Sequence, residues 1–461
     1  MNKYYLGVDL GSTTSKAVII NDRDEIIGRG ITNTRANYRV AVDIARLESI
    51  YNARFFLIKK LLNEEIKINP IYQRYLDDIE KAFQYLQFKK RLSSLLSQLK
   101  LTVESRFSDF IRDKIYTNIE NIIEKIDTLI KDEYLSGNLG SKNQFFRDIV
   151  NEKYHDEVTA LDIDMFEPLM LAFDKSITPV ENEMVEFDFR ELVYDAMSIL
   201  EDKYNGLANR TYNDVSVHFD AELNLLKGSY GKITDTFKEH LDRVAGQDFH
   251  ISNMVGTGYG RALLPFPEEC IKSEILCHAF GAHAIFPGTR TVLDIGGQDT
   301  KAIQVDSHGL VTSFYMNDRC AAGCGRYLGY IADELNISLN ELGSTALSAT
   351  KETNICSTCT VFAGAELREQ LNVGEKREDI LAGLHKAIVM RAMSLIARSG
   401  GVRNEFTFTG GVARNKAVLK YVTELVKKNY GDDLKINIHT DSIFMGALGG
   451  AMFARRNVNI N

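Results

Sequence analysis

The feature that most constrains the fold of this chain is a strand–turn–strand pattern that occurs twice. The first copy, residues 4–20, reads YYLGVDLGSTTSKAVII, and the second, residues 291–305, reads TVLDIGGQDTKAIQV. In each copy a strand leads to an Asp, a glycine-containing polar turn follows, and a Lys enters the returning strand. Such turns can present backbone N–H groups to phosphate oxygens. Two matched hairpins that face each other therefore predict a clamp on one phosphate chain and its Mg²⁺.

The two hairpins supply the predicted phosphate and metal residues. Asp9 and Asp294 are expected to position Mg²⁺ or the attacking water, and Gln298 is a further candidate catalytic residue. The predicted phosphate-binding residues are Gly11, Ser12, Thr13, Thr14, Lys16, Gly296, Gly297 and Lys301. The alternative for each Asp is an ordinary turn carboxylate at a strand end. The duplication of the pattern favours a binding site over that alternative.

A third glycine-containing turn follows a predicted strand near the C-terminal end. Residues 405–415 read EFTFTGGVARN, and the Gly-Gly pair can let the backbone lie flat against a nucleoside. Gly410, Gly411 and Asn415 are therefore predicted to contact adenosine. Gly446 and Gly449 are expected to help, from a Gly/Ala-rich helix that can pack closely on neighbouring backbone.

Four cysteines form two clusters, and each cluster stands just before a helix-like apolar run. The pairs are Cys320 with Cys324 and Cys356 with Cys359. A thiolate at a helix start faces the positive end of the helix dipole, which lowers its pKa and favours an anionic ligand. This setting suits an iron–sulfur cluster. A structural zinc site and buried core thiols are also consistent with the spacing, so the cysteines alone do not decide.

Residues 36–245 differ in character from the sequence on either side. They contain five of the 33 glycines, and isoleucines recur at helical spacing between positions 115 and 130. We interpret this stretch as a helical domain inserted into an α/β protein, with a partner-binding surface as its expected role and a solvated spacer as the alternative. The predicted first α/β domain is residues 1–35 and 246–290, with C-terminal contributions, and the second is residues 291–461.

Composition and charge narrow the functional classes. A net charge of −8 argues against general nucleic-acid binding. The chain enters a strand pattern at once and has no apolar run of about 18 residues, so neither a signal peptide nor a membrane-spanning helix is predicted. Clustered cysteines in a chain of this kind point to metal or redox use in a reducing cytosol. The sequence therefore predicts a cytoplasmic protein without a membrane partner.

The ordered motifs resemble a known superfamily and, within it, one family. DLGSTTSK, LDIGGQDTK and FTGGVARN resemble the acetate/sugar kinase–Hsc70–actin ATPases, and VGTGYGR, NDRCAAGCGR and CSTCTVFAGAE look like the BadF/BadG/BcrA/BcrD ATPase family. The motifs lie within residues 4–30 and 246–455. The resemblance implies an α/β fold of two ribonuclease-H-like domains around a nucleotide cleft, here with the helical domain inserted.

The resemblance also implies a redox centre. Members of this family pair so that two subunits share one [4Fe–4S] cluster, to which each subunit gives two cysteines. By motif these are Cys320 and Cys359. Cys324 and Cys356 depart from the family pattern, which leaves a zinc site or a neighbouring thiol role open.

The function implied by the resemblance has two branches. The large insert and the cysteine segments look like the larger ATP-binding subunit of class I benzoyl-CoA reductases, which couples ATP hydrolysis to low-potential electron delivery in anaerobic aromatic degradation. That branch implies ATP, Mg²⁺ and the shared cluster as cofactors, ferredoxin as electron donor, and as partners a shorter homologous ATPase subunit and two catalytic subunits. The alternative branch is an ATP-dependent activator of a 2-hydroxyacyl-CoA dehydratase, for which a homodimer is possible. A small-molecule kinase and an ATP-switch protein with a zinc knuckle are alternatives from other classes.

Overall fold

The structure, a computed structural model, describes residues 3–34, 37–137, 145–161, 163–209, 230–317, 324–355 and 360–458. It divides the chain into two compact units. The first unit comprises Met1–Thr34, Ala41–Ser49 and His250–Asn461, and the second comprises Arg35–Val40 and Ile50–Phe249. The domain bounds predicted from the sequence stay a prediction.

The second unit is helical in the part that the structure describes. Helices α1 to α8 are Tyr38–Leu61, Asn63–Ile68, Ile71–Arg106, Asp109–Ser136, Phe146–Thr159, Ile163–Glu181, Phe189–Asn209 and Tyr230–Ala245, and the unit boundary falls within α1. In α4 the buried face is a stripe of isoleucines three or four residues apart, from Ile115 to Ile130. The stripe packs into one apolar core with α3, α5 and α6, and this packing stabilises helices that would be marginal alone.

The first unit contains two β-sheets. Strands β1 to β9 are Tyr4–Leu10, Thr14–Asn21, Ile26–Asn33, Ile251–Thr257, Thr291–Ile295, Thr300–Val305, Val311–Asn317, Phe406–Thr409 and Ile436–Ile438. One sheet has the order β3-β2-β1-β4, and the other has the order β7-β6-β5-β8-β9. We call these sheets, with the helices packed on them, the first lobe and the second lobe.

The two sheets share one topology. In each, three consecutive strands pair antiparallel, and the first of them pairs in parallel with a strand that follows much later in the chain. Parallel pairing needs a crossover connection, which places helices against the sheet. This is the topology of a ribonuclease-H-like domain, present twice. The predicted fold class is therefore confirmed: an α/β protein with two ribonuclease-H-like domains and an inserted helical region.

The described part of the first unit contains seven further helices, which pack on the sheets or on one another. Helices α9 to α15 are Glu274–Ile285, Gly325–Leu335, Leu339–Leu347, Thr360–Asn372, Arg377–Ser399, Lys416–Tyr430 and Met445–Val458. Helix α15 packs on the first sheet and on α9, and glycines bring the backbones together. A Cβ at Gly450 would stand 3.3 Å from Gly7 Cα, and one at Gly449 would stand 2.6 Å from the carbonyl carbon of Cys277. The Gly/Ala-rich sequence of α15 is thus required by close packing.

One described helix, α13, is long and apolar enough to cross a bilayer by length and composition. Its most apolar window is 67% buried inside the protein. Ile380, Leu384 and Ile388 on this helix belong to the core of the second lobe, together with Phe406 and Phe408 of β8. The burial fits the core helix of a folded domain.

Candidate functional site

The first hairpin brings a carboxylate and an ammonium group together. Asp9 on β1 lies opposite Lys16 on β2, and Lys16 Nζ is 3.2 Å from Asp9 Oδ2, with both residues buried. Thr34, just after β3, fixes the turn: its Oγ1 donates to the Gly11 carbonyl at 2.6 Å and its N–H donates to the Thr13 carbonyl at 2.8 Å. The turn is therefore held in shape by the protein itself.

The second hairpin repeats this arrangement with more partners. Asp294 on β5 lies opposite Lys301 on β6, at 3.6 Å between Oδ2 and Nζ. Lys301 binds more closely to Asp299 in the turn, at 2.6 Å. Thr409, at the end of the parallel strand β8, donates to Asp294 Oδ1 at 2.8 Å. The Gly296 N–H donates to the Asp299 carbonyl at 2.9 Å and closes the turn.

His278 lies between the two carboxylates. It projects from the buried helix α9, with Nδ1 3.1 Å from Asp294 Oδ1 and Nε2 4.0 Å from Asp9 Oδ2. Gly446 borders the same space, because a Cβ there would stand 2.8 Å from His278 Nε2 and 2.9 Å from Asp9 Oδ2. One imidazole thus connects the catalytic candidates of both lobes, and Gly446 lies against it. The predicted contact of Gly446 with adenosine stays a prediction.

The charges in this cluster support one another. Burial alone would raise the pKa of Asp294, but His278, Lys301 and the hydrogen bond from Thr409 hold that pKa well below its ordinary value. Burial opposes the charge on Lys301, yet Asp294 and Asp299 raise its pKa. Burial likewise opposes the charge on His278, and Asp294 raises its pKa overall. Asp294 therefore stays ionised at neutral pH.

The turns of the two hairpins touch. A Cβ at Gly297 would overlap Thr13 Oγ1 and stand 3.0 Å from Thr13 Cβ, with Ser12 Oγ at 3.8 Å. Gln298 is half-buried in the same turn, and Thr14 begins β2. The structure thus brings the predicted phosphate residues of both hairpins to one place. Their roles in binding ATP stay predictions.

The second turn also carries the start of a helix. The N–H of Gly325 donates to the Gly296 carbonyl at 2.9 Å, and the N–H of Arg326 donates to the Gly297 carbonyl at 2.7 Å. These are the first two residues of α10, and their N–H groups have no partner within the helix. The residue before them, the buried Cys324, is the N-cap of α10. The turn and the helix after the first cysteine pair are therefore directly bonded.

The Gly-Gly turn lies beside the second hairpin. Gly410 has φ +90, and a Cβ there would stand 2.6 Å from the carbonyl carbon of Ile295, the residue after Asp294. Gly411 begins a short 3₁₀ helix. Asn415 caps α14, because its Oδ1 accepts from two N–H groups of that helix at 3.0 and 3.1 Å. The described contacts of Asn415 are structural, and its contact with adenosine stays a prediction.

The predicted cluster ligands, Cys320 and Cys359, lie outside the described residues, as does Cys356. Cys277 is fully buried on α9, and burial raises its pKa to about 12. A thiol in that state is unreactive.

The described residues suit a metal that ATP itself helps to hold. Across the described ranges, no group of three or more Cys, His, Asp or Glu residues is arranged to hold a metal ion. Mg²⁺ in nucleotide sites is commonly bound by one or two carboxylates together with phosphates. Asp294 Oδ2 is buried and has no hydrogen-bond partner. A carboxylate oxygen left in this way fits Mg²⁺ or one of its water ligands.

Sequence reasoning missed two members of this cluster. Neither His278 nor Thr409 was among the site residues predicted from the sequence. A usable signal was present: Glu274 and His278 are four residues apart and therefore share one face of α9, the helix that precedes the second hairpin. Glu274 is also buried, and burial raises its pKa while Lys301 opposes the rise.

The sequence is similar to one protein family and to several of its members. The sequence matches the BadF/BadG/BcrA/BcrD ATPase family over residues 6–454. The 2-hydroxyisocaproyl-CoA dehydratase activator of Clostridioides difficile is 40% identical over 204 residues, which cover 44% of this chain and 74% of that protein. The (R)-2-hydroxyglutaryl-CoA dehydratase activating ATPase of Acidaminococcus fermentans is 41% identical over 202 residues, 43% of this chain and 74% of that protein. A benzoyl-CoA reductase subunit of Thauera aromatica is 32% identical over 176 residues, 38% of this chain and 62% of that protein.

The two dehydratase activators are more similar to this chain than the Thauera reductase protein is, in identity and in the share of each protein that is covered. The relatives therefore favour the activator branch over the reductase branch that the insert suggested. The family match spans both hairpins, the Gly-Gly turn and the inserted helices. The chain belongs to the BadF/BadG/BcrA/BcrD ATPase family, a family of ATP-hydrolysing enzymes.

Proposed function

We propose that this chain is an ATP-hydrolysing electron-transfer protein that activates a 2-hydroxyacyl-CoA dehydratase. It binds Mg·ATP between its two hairpins and shares one [4Fe–4S] cluster with a second subunit, through Cys320 and Cys359. One observation carries the coupling between these two functions. The carbonyls of Gly296 and Gly297, in the proposed phosphate turn, accept the first N–H groups of α10 at 2.9 and 2.7 Å. That helix follows Cys320 in the chain.

The chain's own groups have distinct proposed roles at the nucleotide. Gly11 to Lys16 and Gly296 to Gln298 bind the phosphates from two sides, and Lys16 and Lys301 offset their charge. Asp9 and Asp294 position Mg²⁺ or the attacking water. Gly410, Gly411, Asn415 and Gly446 border the adenosine. The preformed turns support this, because groups fixed before binding lose little freedom on binding.

The coupling step is a movement of the second turn. Loss of the γ-phosphate removes an anion to which the turn's N–H groups can donate, so the turn has different favoured positions with ATP and with ADP. Because α10 is bonded to that turn, its N-terminal end follows. A bound [4Fe–4S] cluster supplies a single electron at low potential. For one electron, a tenfold change in the transfer equilibrium corresponds to about 59 mV, so a modest difference between two conformations makes transfer directional.

The proposed electron acceptor, a dehydratase, is inferred from the relatives. Two of them are named as a dehydratase activator and as an ATPase that activates a dehydratase. A second candidate, an ATPase subunit of a benzoyl-CoA reductase, is favoured by the match to the Thauera reductase protein and by the insert that resembles the larger ATP-binding component. An activator donates an electron that the dehydratase recycles, whereas a reductase spends ATP in every turnover. The ATP consumed per product formed therefore separates the two.

The first test is anaerobic purification with iron and sulfide analysis. We expect about two irons per chain, since one four-iron cluster is shared by two subunits. Cys320→Ala and Cys359→Ala should each remove the iron, while Cys270→Ala, at a half-buried position outside both clusters, should keep it. One zinc per chain and no iron would overturn the electron-transfer proposal. About four irons per chain, lost also in Cys324→Ala, would replace the shared cluster with one held within a single chain.

A second test separates the partners. The purified protein is mixed, under reducing conditions with a low-potential donor such as ferredoxin, with a 2-hydroxyacyl-CoA dehydratase or with the catalytic subunits of a benzoyl-CoA reductase. Dehydration that continues for many turnovers after a single ATP-dependent activation supports the activator. Ring reduction with ATP consumed in proportion to product supports the reductase function.

A further inference from the structure

We propose that His278 is a positioning residue for Asp294. It fixes the carboxylate so that only Oδ2 is presented to Mg²⁺ or the attacking water, and it sets the spacing between Asp294 and Asp9. This inference rests on the proposed role of both carboxylates at Mg·ATP. It adds a residue from α9 that belongs to neither hairpin.

The two oxygens of Asp294 have unequal surroundings. Oδ1 accepts from Thr409 Oγ1 at 2.8 Å and lies 3.1 Å from His278 Nδ1. Oδ2 is buried and has no hydrogen bond, and the nearest ammonium group, Lys301 Nζ, is 3.6 Å away. Lys301 instead binds Asp299 at 2.6 Å. Two donors on one oxygen and none on the other define a single orientation of the carboxylate, with one oxygen left for a ligand.

The neutral imidazole is sufficient for this role. With the proton on Nδ1, His278 donates to Asp294 Oδ1, and the other ring nitrogen points toward Asp9 at 4.0 Å, beyond hydrogen-bond distance. Asp9 already has Lys16 at 3.2 Å. The imidazole therefore acts on Asp294 through a hydrogen bond and on Asp9 as a spacer.

The position of His278 is itself rigid. Its helix is largely buried, and its neighbour Cys277 lies against Gly449 of α15 so closely that no side chain fits between them. Gly446, on the same helix α15, leaves the space that the imidazole occupies, because a Cβ there would stand 2.8 Å from His278 Nε2. A side chain held by such packing can keep its partner within about half an ångström of one geometry, as a residue that supports a metal ligand must.

The test compares side chains that keep different atoms of the imidazole. His278→Asn retains a donor near the place of Nδ1, His278→Gln reaches only toward the place of Nε2, and His278→Ala keeps neither. Thr409→Val removes the second donor to Asp294 without a change of shape. Leu276→Ala, on the partly exposed side of the same helix, is the matched control. Each variant is assayed for steady-state ATP hydrolysis, for ATP binding, and for the Mg²⁺ concentration that gives half-maximal rate.

We expect His278→Ala and His278→Gln to lower kcat about 10- to 100-fold and to raise the required Mg²⁺, as loss of a partner that orients a metal ligand does. KM for ATP should change less than about threefold, because phosphate and adenosine contacts remain. His278→Asn should recover most of the rate, and Thr409→Val should show a smaller loss of the same kind. Leu276→Ala should match the wild type.

Two results would overturn the inference. One is a His278→Asn variant as impaired as His278→Gln, since the Nδ1 hydrogen bond would then not matter. The other is a loss confined to KM, which would indicate a role in nucleotide binding. If His278→Ala does not fold, the comparison of His278→Asn with His278→Gln still tests the inference. If the wild type binds Mg·ATP without hydrolysing it, the proposed function fails by itself, and the Mg²⁺ dependence of ATP binding in the same pair tests His278.

Discussion

Gly325→Pro is the substitution that most directly tests the link between the phosphate turn and α10. Gly325 is the first residue of the helix, where proline is well tolerated. The preceding Cys324 has φ −129 and ψ 177, an extended conformation that suits a residue before proline. The ring carbon would take the place of the proton that now points at the Gly296 carbonyl, 2.9 Å from the nitrogen. The helix can therefore form while the link is broken.

The expected size of the effect follows from this hydrogen bond. A backbone hydrogen bond contributes about 0.5–1.5 kcal/mol net, and a carbonyl left without a donor costs about 1–3 kcal/mol. We take about 1–2 kcal/mol as the loss, because the turn can shift toward water. If this hydrogen bond transmits the coupling, the coupling free energy falls by the same amount. The effect of the nucleotide on the cluster then becomes about 5- to 30-fold smaller.

The assay measures coupling and hydrolysis separately. Iron removal by a chelator is timed anaerobically with ATP, with ADP and without nucleotide, and the ratio of rates reports how strongly the nucleotide changes access to the cluster. ATP hydrolysis is measured on the same samples. Gly325→Ala is the matched control, because its Cβ meets the same neighbours, at 3.2 Å from the Gly296 carbonyl oxygen and 3.3 Å from Val412 Cγ2, while the N–H remains.

In the proline variant we expect the ratio of iron-removal rates to lie about 5- to 30-fold closer to one than in the wild type. The alanine variant should change this ratio little. Hydrolysis in the proline variant should fall less than the ratio does. A proline variant with the nucleotide response of the alanine variant would refute the reasoning, because the coupling would then run through another contact.

Three further predictions concern stability and assembly. Gly449→Ala should destabilise the protein by about 2 kcal/mol in urea unfolding, since its Cβ would stand 2.6 Å from the Cys277 carbonyl carbon. The control is Gly329→Ala, whose Cβ would have no atom within 4 Å; it should be neutral or stabilising by up to about 1 kcal/mol. Burial lowers the pKa of His385 to about 4, so the free energy of unfolding is highest above about pH 6.5 and falls by about 2 kcal/mol by pH 5. The unfolding free energy of His385→Gln should lack that fall, and a variant with the pH profile of the wild type would refute this prediction. Phe110→Ser, at a side chain 96% exposed on the helical unit, should weaken assembly with the partner and leave hydrolysis unchanged; unaltered assembly would count against a docking role for that surface.

The part of the site that the sequence revealed is the part built from neighbouring residues. Asp9 meets Lys16, and Asp294 meets Lys301, because each pair lies opposite in a hairpin whose register a short turn fixes. The duplicated fold was visible for the same reason. The choice between a dehydratase and a reductase as partner was not visible in the sequence, since Phe110 and the other exposed residues of the insert form no pattern that is typical of either partner.

The sequence by itself determined the two hairpins, the helical insert and the resemblance to an ATPase family, because strand pairing across a short turn and helix periodicity are local properties. Only the tertiary structure decided which groups surround Asp294. His278 and Thr409 lie 16 and 115 positions away in the chain, and they arrive there because α9 packs on α15 and β8 pairs with β5. The contact of Gly325 with the phosphate turn has the same origin. Such contacts depend on how distant elements pack, and the packing exists only in the folded chain.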